Sequence, residues 1–206
     1  VIATPDGTHT EYVEQALDAG ADVVVEKPLA ATVAEAERLT TMATDAGRHL
    51  VPFHNRRWDG DFLTVRSLRD EDRVGDPFRF ESRLTRWAPT ARAWWRDTPR
   101  RGQVDGKLGD IGSHLVDQAL VLFGPVDEVY AEVRSVRGAD TANDDCFLAL
   151  QHRGGVVTHL HLSAVSAARL PRFVLQGRRA AFTVFGDDPQ MEALNAGKSP
   201  RDAGWG

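Results

Sequence analysis

The chain has 206 residues, of which 42% are hydrophobic and 27% are charged, and its formal net charge is −5. These proportions are ordinary for one large or two small globular domains. No apolar run approaches the roughly 20 residues of a membrane-spanning helix, and the net acidity argues against general nucleic-acid binding. The single cysteine, Cys146, excludes an intrachain disulfide framework and fits a reducing, cytoplasmic location.

The N-terminus, VIATPDGTHT, has neither a basic segment nor a long apolar core, so it predicts no signal peptide. The first residue is not methionine, and it lies inside an apolar run typical of a strand. We therefore expect the sequence to be part of a longer chain.

The first 57 residues alternate short apolar runs with helical patterns. Strands are predicted at Val1–Thr4, Asp22–Glu26 and His49–His54, and the two helices between them are predicted to end at Gly20 and Gly47. Three adjacent valines in the middle strand suggest burial on both faces. Short links between such elements indicate a parallel sheet.

Both predicted helices begin at a threonine. Thr8 is followed three residues later by Glu11, which predicts a capping box, and Thr32 is predicted to cap the second helix.

A different pattern follows residue 57. Helices are predicted at Asp61–Leu68 and from Gly106 to Phe123. The predicted strands are Phe78–Leu84, Glu128–Arg134, Asp145–Gln151, Val156–Ala164, Arg172–Gln176 and Ala180–Phe185. Tight turns between consecutive strands indicate antiparallel pairing. The predicted fold class is therefore α/β plus α+β, with a partial parallel sheet followed by an open, mainly antiparallel sheet.

Polar side chains follow two of the predicted parallel strands. Lys27, in the sequence EKP, could transfer a proton or polarise a carbonyl at the edge where such sheets bind ligands; the alternative is a surface lysine. The segment Thr4–His9 offers backbone N–H groups and a helix N-terminus to a phosphate or ribose; the alternative is a plain turn and cap. Residues 55–59, NRRWD, follow the third strand, and a salt-bridged surface loop is the favoured interpretation there.

The long predicted helix that ends at Phe123 carries three polar residues that are candidates for a site. Asp110, His114 and Asp117 are four and three residues apart, a spacing that places side chains on one helical face. A carboxylate beside an imidazole can raise its pKa and orient it. The alternative is a helix cap followed by a polar face.

Two further groups of residues are candidates for ligand or metal binding. The loop Arg83–Arg101, rich in arginine and tryptophan, is interpreted as lining a polyol or phosphate pocket rather than binding nucleic acid. His159 and His161 share one face of a strand, but a nearby third ligand is not evident, so no metal site is predicted. The sequence lacks GxSxG, which argues against a hydrolase.

Taken together, the motifs ATPDGTH, EKP and GDIGSHLVDQ resemble those of the Gfo/Idh/MocA oxidoreductases. The segments HNRRWDGDFLT, ESR, WWR and the C-terminal GDDPQMEALNAGKSPRDAGWG are similar to a subgroup that includes NADP-dependent scyllo-inositol dehydrogenases. The resemblance covers essentially the whole chain.

The resemblance implies a two-domain enzyme. Residues 1–57 would be the C-terminal part of a Rossmann NAD(P)-binding domain, and residues 58–206 a substrate-binding and oligomerisation domain. The family's glycine-rich phosphate-binding turn has no counterpart in the sequence, and members of the family continue beyond the position of Trp205, so we expect truncation at both ends. The region that selects NAD or NADP is also missing, and the resemblance slightly favours NADP.

The resemblance also implies roles for individual residues. The catalytic residues would be Lys27, Asp110 and His114, with His114 as general acid/base. The residues around the cofactor would be Thr4, Pro5, His9, Glu26, Lys27 and Arg57. The residues around the substrate would be Lys27, Asn55, Trp87, Asp110, His114 and Asp117.

The implied function is hydride transfer between NAD(P) and a secondary alcohol of an inositol-like polyol or sugar. The implied assembly is a homo-oligomer formed through the antiparallel sheet. The alternative is a non-catalytic sugar-binding or oligomerisation module that lacks the phosphate-binding loop.

Overall fold

The computed structural model describes residues 1–91, 105–138, 140–203 and 205. Contacts divide them into two compact units, one formed by Val1–His54 and the other by nearly all residues from Asn55 onward. Within these described ranges no helix is both long and apolar enough to cross a bilayer. The predicted arginine- and tryptophan-rich loop lies, from Arg92 to Arg101, outside the described residues.

The first unit is a small parallel sheet with two helices. Its elements are α1 (His9–Asp18), β1 (Val23–Glu26), α2 (Val33–Asp45) and β2 (Leu50–Phe53). Strands β1 and β2 pair in parallel, and Ile2 forms a parallel bridge to Val25 on β1. The buried core joins both helices to β1 and consists of Ile2, Val13, Leu17, Val23, Val25, Leu39 and Ala43. The predicted parallel sheet is thus confirmed.

Two details of this unit differ from the sequence predictions. Val24 and Glu26 are half-buried, so β1 is fully buried on one face only, not on both. The capping box predicted at Thr8 is wrong: its hydroxyl donates to the carbonyl of Pro5 at 2.8 Å instead of accepting from the helix. Pro5 starts a single 3₁₀ turn before α1, and this turn takes the hydroxyl away from the helix end.

The predicted cap at Thr32 is confirmed. Its hydroxyl accepts from the backbone N–H of Glu35 at 3.2 Å, and the Glu35 carboxylate accepts from the backbone N–H of Thr32 at 3.1 Å. This reciprocal arrangement is a capping box. Gly20 and Gly47 follow the helix ends with φ of 75° and 62°, as predicted.

The second unit is built on a six-stranded sheet. Its strands are β3 (Pro77–Thr85), β4 (Val126–Arg134), β5 (Asp145–His152), β6 (Val157–Ser163), β7 (Phe173–Gly177) and β8 (Ala181–Val184). They lie in the order β4-β5-β6-β3-β7-β8. Strands β3 and β6 pair in parallel, and every other neighbouring pair is antiparallel. The fold class predicted from the sequence, with its open and mainly antiparallel second sheet, is confirmed.

The α-helices among the described residues of this unit are α3 (Gly60–Asp70), α4 (Ser113–Phe123) and α5 (Pro189–Asn195). One side of β5 is buried at every second residue, and Leu148 and Leu150 from that side share a core with Leu115 and Ala119 of α4. A second core brings Phe62 of α3 against β3 and β7. The helices therefore cover one face of the sheet.

Candidate active site

In the first unit, the candidate residues gather at the carboxyl edge of the parallel sheet. Ile2 and β1 run in parallel, with the N–H of Glu26 donating to the Ile2 carbonyl at 2.9 Å. Thr4 and Pro5 therefore leave the sheet at the same edge as Lys27. Thr4 and Pro5 are exposed, whereas Glu26 and Lys27 are half-buried. This edge is where open parallel sheets bind ligands.

His9 links the two segments that leave this edge. Its side chain is buried, with Nδ1 2.7 Å from the carbonyl oxygen of Pro28 and Nε2 3.0 Å from that of Thr4. Both partners are acceptors, and a neutral imidazole donates to only one of them. His9 thus lies between the Thr4–Pro5 segment and the Lys27–Pro28 segment, and each of its ring nitrogens faces a backbone carbonyl.

In the second unit, Asn143 accepts hydrogen bonds from the backbone of the segment that precedes α4. The carbonyl of Asn143 accepts from the N–H of Lys107, and its side-chain oxygen accepts from the N–H of Leu108, both at 2.8 Å. Gly106 has φ of 67°, and an added Cβ would lie 2.5 Å from Asn143 side-chain atoms and 2.6 Å from its carbonyl oxygen. Only glycine fits this turn without displacement.

The segment then enters a π-helical turn, Leu108–Gly112, which contains the half-buried Asp110. His114 follows in the first turn of α4 and is 5% exposed. Asp110 thus lies in the π-helical turn and His114 just after it, whereas the sequence prediction assumed one continuous α-helix. Such turns are uncommon and are often found at functional sites.

Arg57 and Asp117 form a bidentate ion pair. Arg57 Nε donates to one oxygen of Asp117 at 2.7 Å, and Nη2 donates to the other at 2.6 Å. The hydrogen bond to Asp117 raises the pKa of Arg57, partly offset by burial. Arg56 also contacts Asp59 at 2.9 Å. These are the contacts of the salt-bridged loop favoured from the sequence, and they attach the turn at residues 55–58 to α4.

A buried polar network that was not predicted from the sequence lies beside this pair. Gln118 is completely buried; its amide nitrogen donates to the carbonyl of Arg56 at 2.8 Å. Arg172 donates to Ser82 at 2.8 Å and lies 3.3 Å from a carboxylate oxygen of Asp61. Burial lowers the pKa of Arg172 to about 10, opposed by the charge of Asp61. The available signal was a polar residue inside an otherwise apolar run, as at Gln118 in HLVDQALVLF.

The two remaining substrate candidates are exposed. Asn55 opens a 3₁₀ turn, Asn55–Trp58, and Trp87 is 61% exposed just beyond β3, where it forms an isolated bridge with Val165. The structure therefore places these residues at the surface of the second unit.

The face of the sheet opposite the helices carries polar side chains. A depression of about 500 Å³ is lined there by charged residues of β3 and β4 together with Phe147, His159 and His161. Burial lowers the pKa of His159, with a smaller effect from the charge of Arg79. His161 Nε2 lies 3.4 Å from a carboxylate oxygen of Asp145. The prediction that the two histidines share a strand face is confirmed.

Comparison with known families identifies the chain. Residues 62–183 match the Gfo/Idh/MocA C-terminal domain. The chain belongs to the Gfo/Idh/MocA family. Residues 1–54 match a second model of this family, described as an oxidoreductase family with an NAD-binding Rossmann fold.

Individual relatives match all or most of the chain. The chain is 37% identical over 206 residues to the scyllo-inositol 2-dehydrogenase (NADP(+)) IolW of Bacillus subtilis. All of this chain superposes on the YPO2259 putative oxidoreductase of Yersinia pestis, with a TM-score of 0.88 and 38% sequence identity. It is 30% identical over 179 residues, 80% of the chain, to a D-apiose dehydrogenase of Paraburkholderia graminis. The chain spans 57% of IolW and of YPO2259, and 43% of the D-apiose dehydrogenase.

Proposed function

We propose that this protein works as an NAD(P)-dependent dehydrogenase on a secondary alcohol of a polyol or sugar. Family membership across both units carries the proposal. The full-length match to IolW favours an inositol-like polyol and NADP, and the match to a D-apiose dehydrogenase extends the class to sugars. Residues 1–57 would then contribute to nucleotide binding, and residues 58–206 to substrate binding and oligomerisation.

The carboxyl edge of the parallel sheet suits a nicotinamide nucleotide. Thr4 and Pro5 are exposed there, and the 3₁₀ turn and the N-terminus of α1 follow directly after them. Backbone N–H groups at such a position favour a phosphate or ribose oxygen. When bound, the cofactor accepts or returns the hydride. His9 would act by holding this backbone, while Glu26 and Arg57 would contribute polar contacts.

The protein's own groups would handle the proton. Oxidation of an alcohol releases a proton as the hydride leaves, so a base and a positive charge near the oxygen both help. His114 would take the proton, the ammonium group of Lys27 would stabilise the developing alkoxide, and Asp110 would orient the substrate or the imidazole. Asn55, Trp87 and Asp117 would line or support the substrate site.

Turnover of the complete protein tests these roles. Lys27→Ala and His114→Ala should each lower kcat at least about 100-fold while changing cofactor affinity much less. Lys198→Ala and His49→Ala remove an exposed lysine and an exposed histidine elsewhere, and both should keep wild-type turnover. Wild-type kcat in Lys27→Ala and His114→Ala would refute the catalytic assignment.

Cofactor binding separates the enzyme from a non-catalytic module. Titration with NADPH and then NADH should quench tryptophan fluorescence in a saturable way. A complete protein that binds neither nucleotide would favour the sugar-binding or oligomerisation alternative.

The homo-oligomer would form through the face of the sheet opposite the helices. Tyr130 on β4 is 58% exposed on that face and lies 6.5 Å, centroid to centroid, from Phe147. Tyr130→Asp should shift the protein towards monomer in sedimentation velocity. Val129→Asp, on the other face of the same strand and 63% exposed, is the matched control. Equal masses for wild type and Tyr130→Asp would refute this interface.

A further inference from the structure

Three carboxylates of the second unit meet where two helices begin. Asp59 precedes α3, Asp61 lies in its first turn, and Asp188 precedes α5. One oxygen from each lies within 4.8 Å of the others. A Cβ added to Gly60 would lie 3.8 and 3.9 Å from the two oxygens of Asp188, so that carboxylate sits over the start of α3.

The charges of this cluster do not balance. Arg56 pairs with Asp59 at 2.9 Å, and Arg172 lies 3.3 Å from Asp61. Among the described residues, these three carboxylates thus face two guanidinium groups, which leaves one negative charge in a largely buried place. Burial raises the pKa of Asp59 and Asp61, and the charge of Asp188 adds to both shifts.

Two buried oxygens of the cluster also lack a donor among the described residues. Asp61 and Asp188 are each 8% exposed. Asp61 Oδ1 and Asp188 Oδ2 are inaccessible and accept no hydrogen bond from the part of the chain that the structure describes, although the other oxygen of each is engaged by Arg172 or by the N–H of Gln190. A buried carboxylate oxygen without a partner is costly, so these oxygens call for a positive ligand.

We propose that Asp59, Asp61 and Asp188 bind a hard divalent cation of the Ca²⁺ and Mg²⁺ class. Such cations take carboxylate oxygens as ligands, and oxygens about 2.0–2.6 Å from one ion lie at most about 5 Å apart. The cluster has that span. Asp59, with a side chain 18% exposed, leaves a route for the ion and for water ligands.

The cation would join α3 to α5. It would tie Asp59 and Asp61, at the beginning of α3, to Asp188 at the beginning of α5, and supply the missing positive charge. This site departs from the sequence analysis, which predicted no metal, because the third ligand is more than 120 residues away in the chain. It does not depend on the proposed dehydrogenase activity.

Thermal unfolding of chelator-treated protein tests the site. CaCl₂ or MgCl₂ should raise Tm by about 5–10 °C at a hundredfold excess over Kd, relative to choline chloride of equal ionic strength. The two salts distinguish which ion the site prefers. Asp188→Asn should lose most of this rise, because asparagine still caps α5 but carries no charge. Asp187→Asn, an exposed neighbour, should keep it.

Two outcomes would overturn the proposal. One is a wild-type Tm that neither salt raises beyond the choline control. The other is an equal rise in wild type and Asp188→Asn. If Asp188→Asn does not fold, terbium luminescence excited through the adjacent Trp58 decides on wild type alone. One saturable site displaced by Ca²⁺ or Mg²⁺ supports the cation, and no saturable signal refutes it.

Discussion

Replacing Gly106 with alanine should destabilise the protein through two separable effects. The first is backbone strain, because φ is 67° at this residue, and an L-residue in this region costs about 1–2 kcal/mol. The second is steric, since the new Cβ would meet Asn143 at 2.5–2.6 Å. One of those atoms is the Asn143 carbonyl oxygen, which cannot rotate away as a flexible side chain could. Overpacking of this kind adds about 1–3 kcal/mol.

Gly155→Ala is the matched control for this experiment. Gly155 has φ of 87°, but no atom of the described residues lies within 4 Å of its added Cβ. Urea unfolding should therefore give a loss of about 1–2 kcal/mol for Gly155→Ala and about 2–5 kcal/mol for Gly106→Ala. Equal losses would refute the steric part of the argument. Because Gly106 leads into the turn that carries Asp110, Gly106→Ala should also reduce turnover, whereas Gly155→Ala should not.

Three further predictions follow from buried or half-buried groups. Arg172→Met should lower the free energy of unfolding, measured by urea titration, by about 3–5 kcal/mol, because it leaves Asp61 buried without its partner. The further substitution Asp61→Asn in the same chain should restore part of this loss. Cys146 is 1% exposed, and burial raises the pKa of its thiol to about 11. Native protein at pH 8 should therefore react with a thiol reagent far more slowly than unfolded protein, and similar reaction rates would contradict this prediction. Because the pKa of His159 is lowered on folding, unfolded chains bind more protons there, and stability should fall as pH drops below about 6.5. His159→Gln should reduce that fall between pH 7.5 and 5, and the exposed His49→Gln should not.

Local signals in the sequence predicted most elements of both units. Thr32 shows why such predictions succeed: its cap depends on residues within one turn, and Glu35 is placed to complete the box. Thr8 shows how they fail, because the same pattern is overridden when Pro5 begins a 3₁₀ turn and accepts the threonine hydroxyl. Local signals also could not predict the parallel pairing of β3 with β6, since paired residues such as Arg79 and Val157 are 78 positions apart in the sequence.

The buried polar contacts were the least predictable part of the candidate site. Arg172 reaches Ser82, Asp61 and Gln118 from strands and helices far apart in sequence, and its partners are known only once the sheet is assembled. A lone arginine at the start of an apolar strand gives no indication of which acid neutralises it. By contrast, Lys27 could be located because its position depends only on where one parallel strand ends.

These contacts bear on how α4 could serve a reaction. Asp117 is held by Arg57, and the neighbouring Gln118 is held by the Arg56 carbonyl and contacted by Arg172 at 3.4 Å. These contacts come from the turn at residues 55–58 and from Arg172, and all lie about one turn after His114. A helix fixed in this way also fixes the direction of the side chains it carries, including His114. If His114 is the general base, the anchoring of α4 therefore contributes to its orientation, and loss of Arg172 should affect kcat more than cofactor affinity.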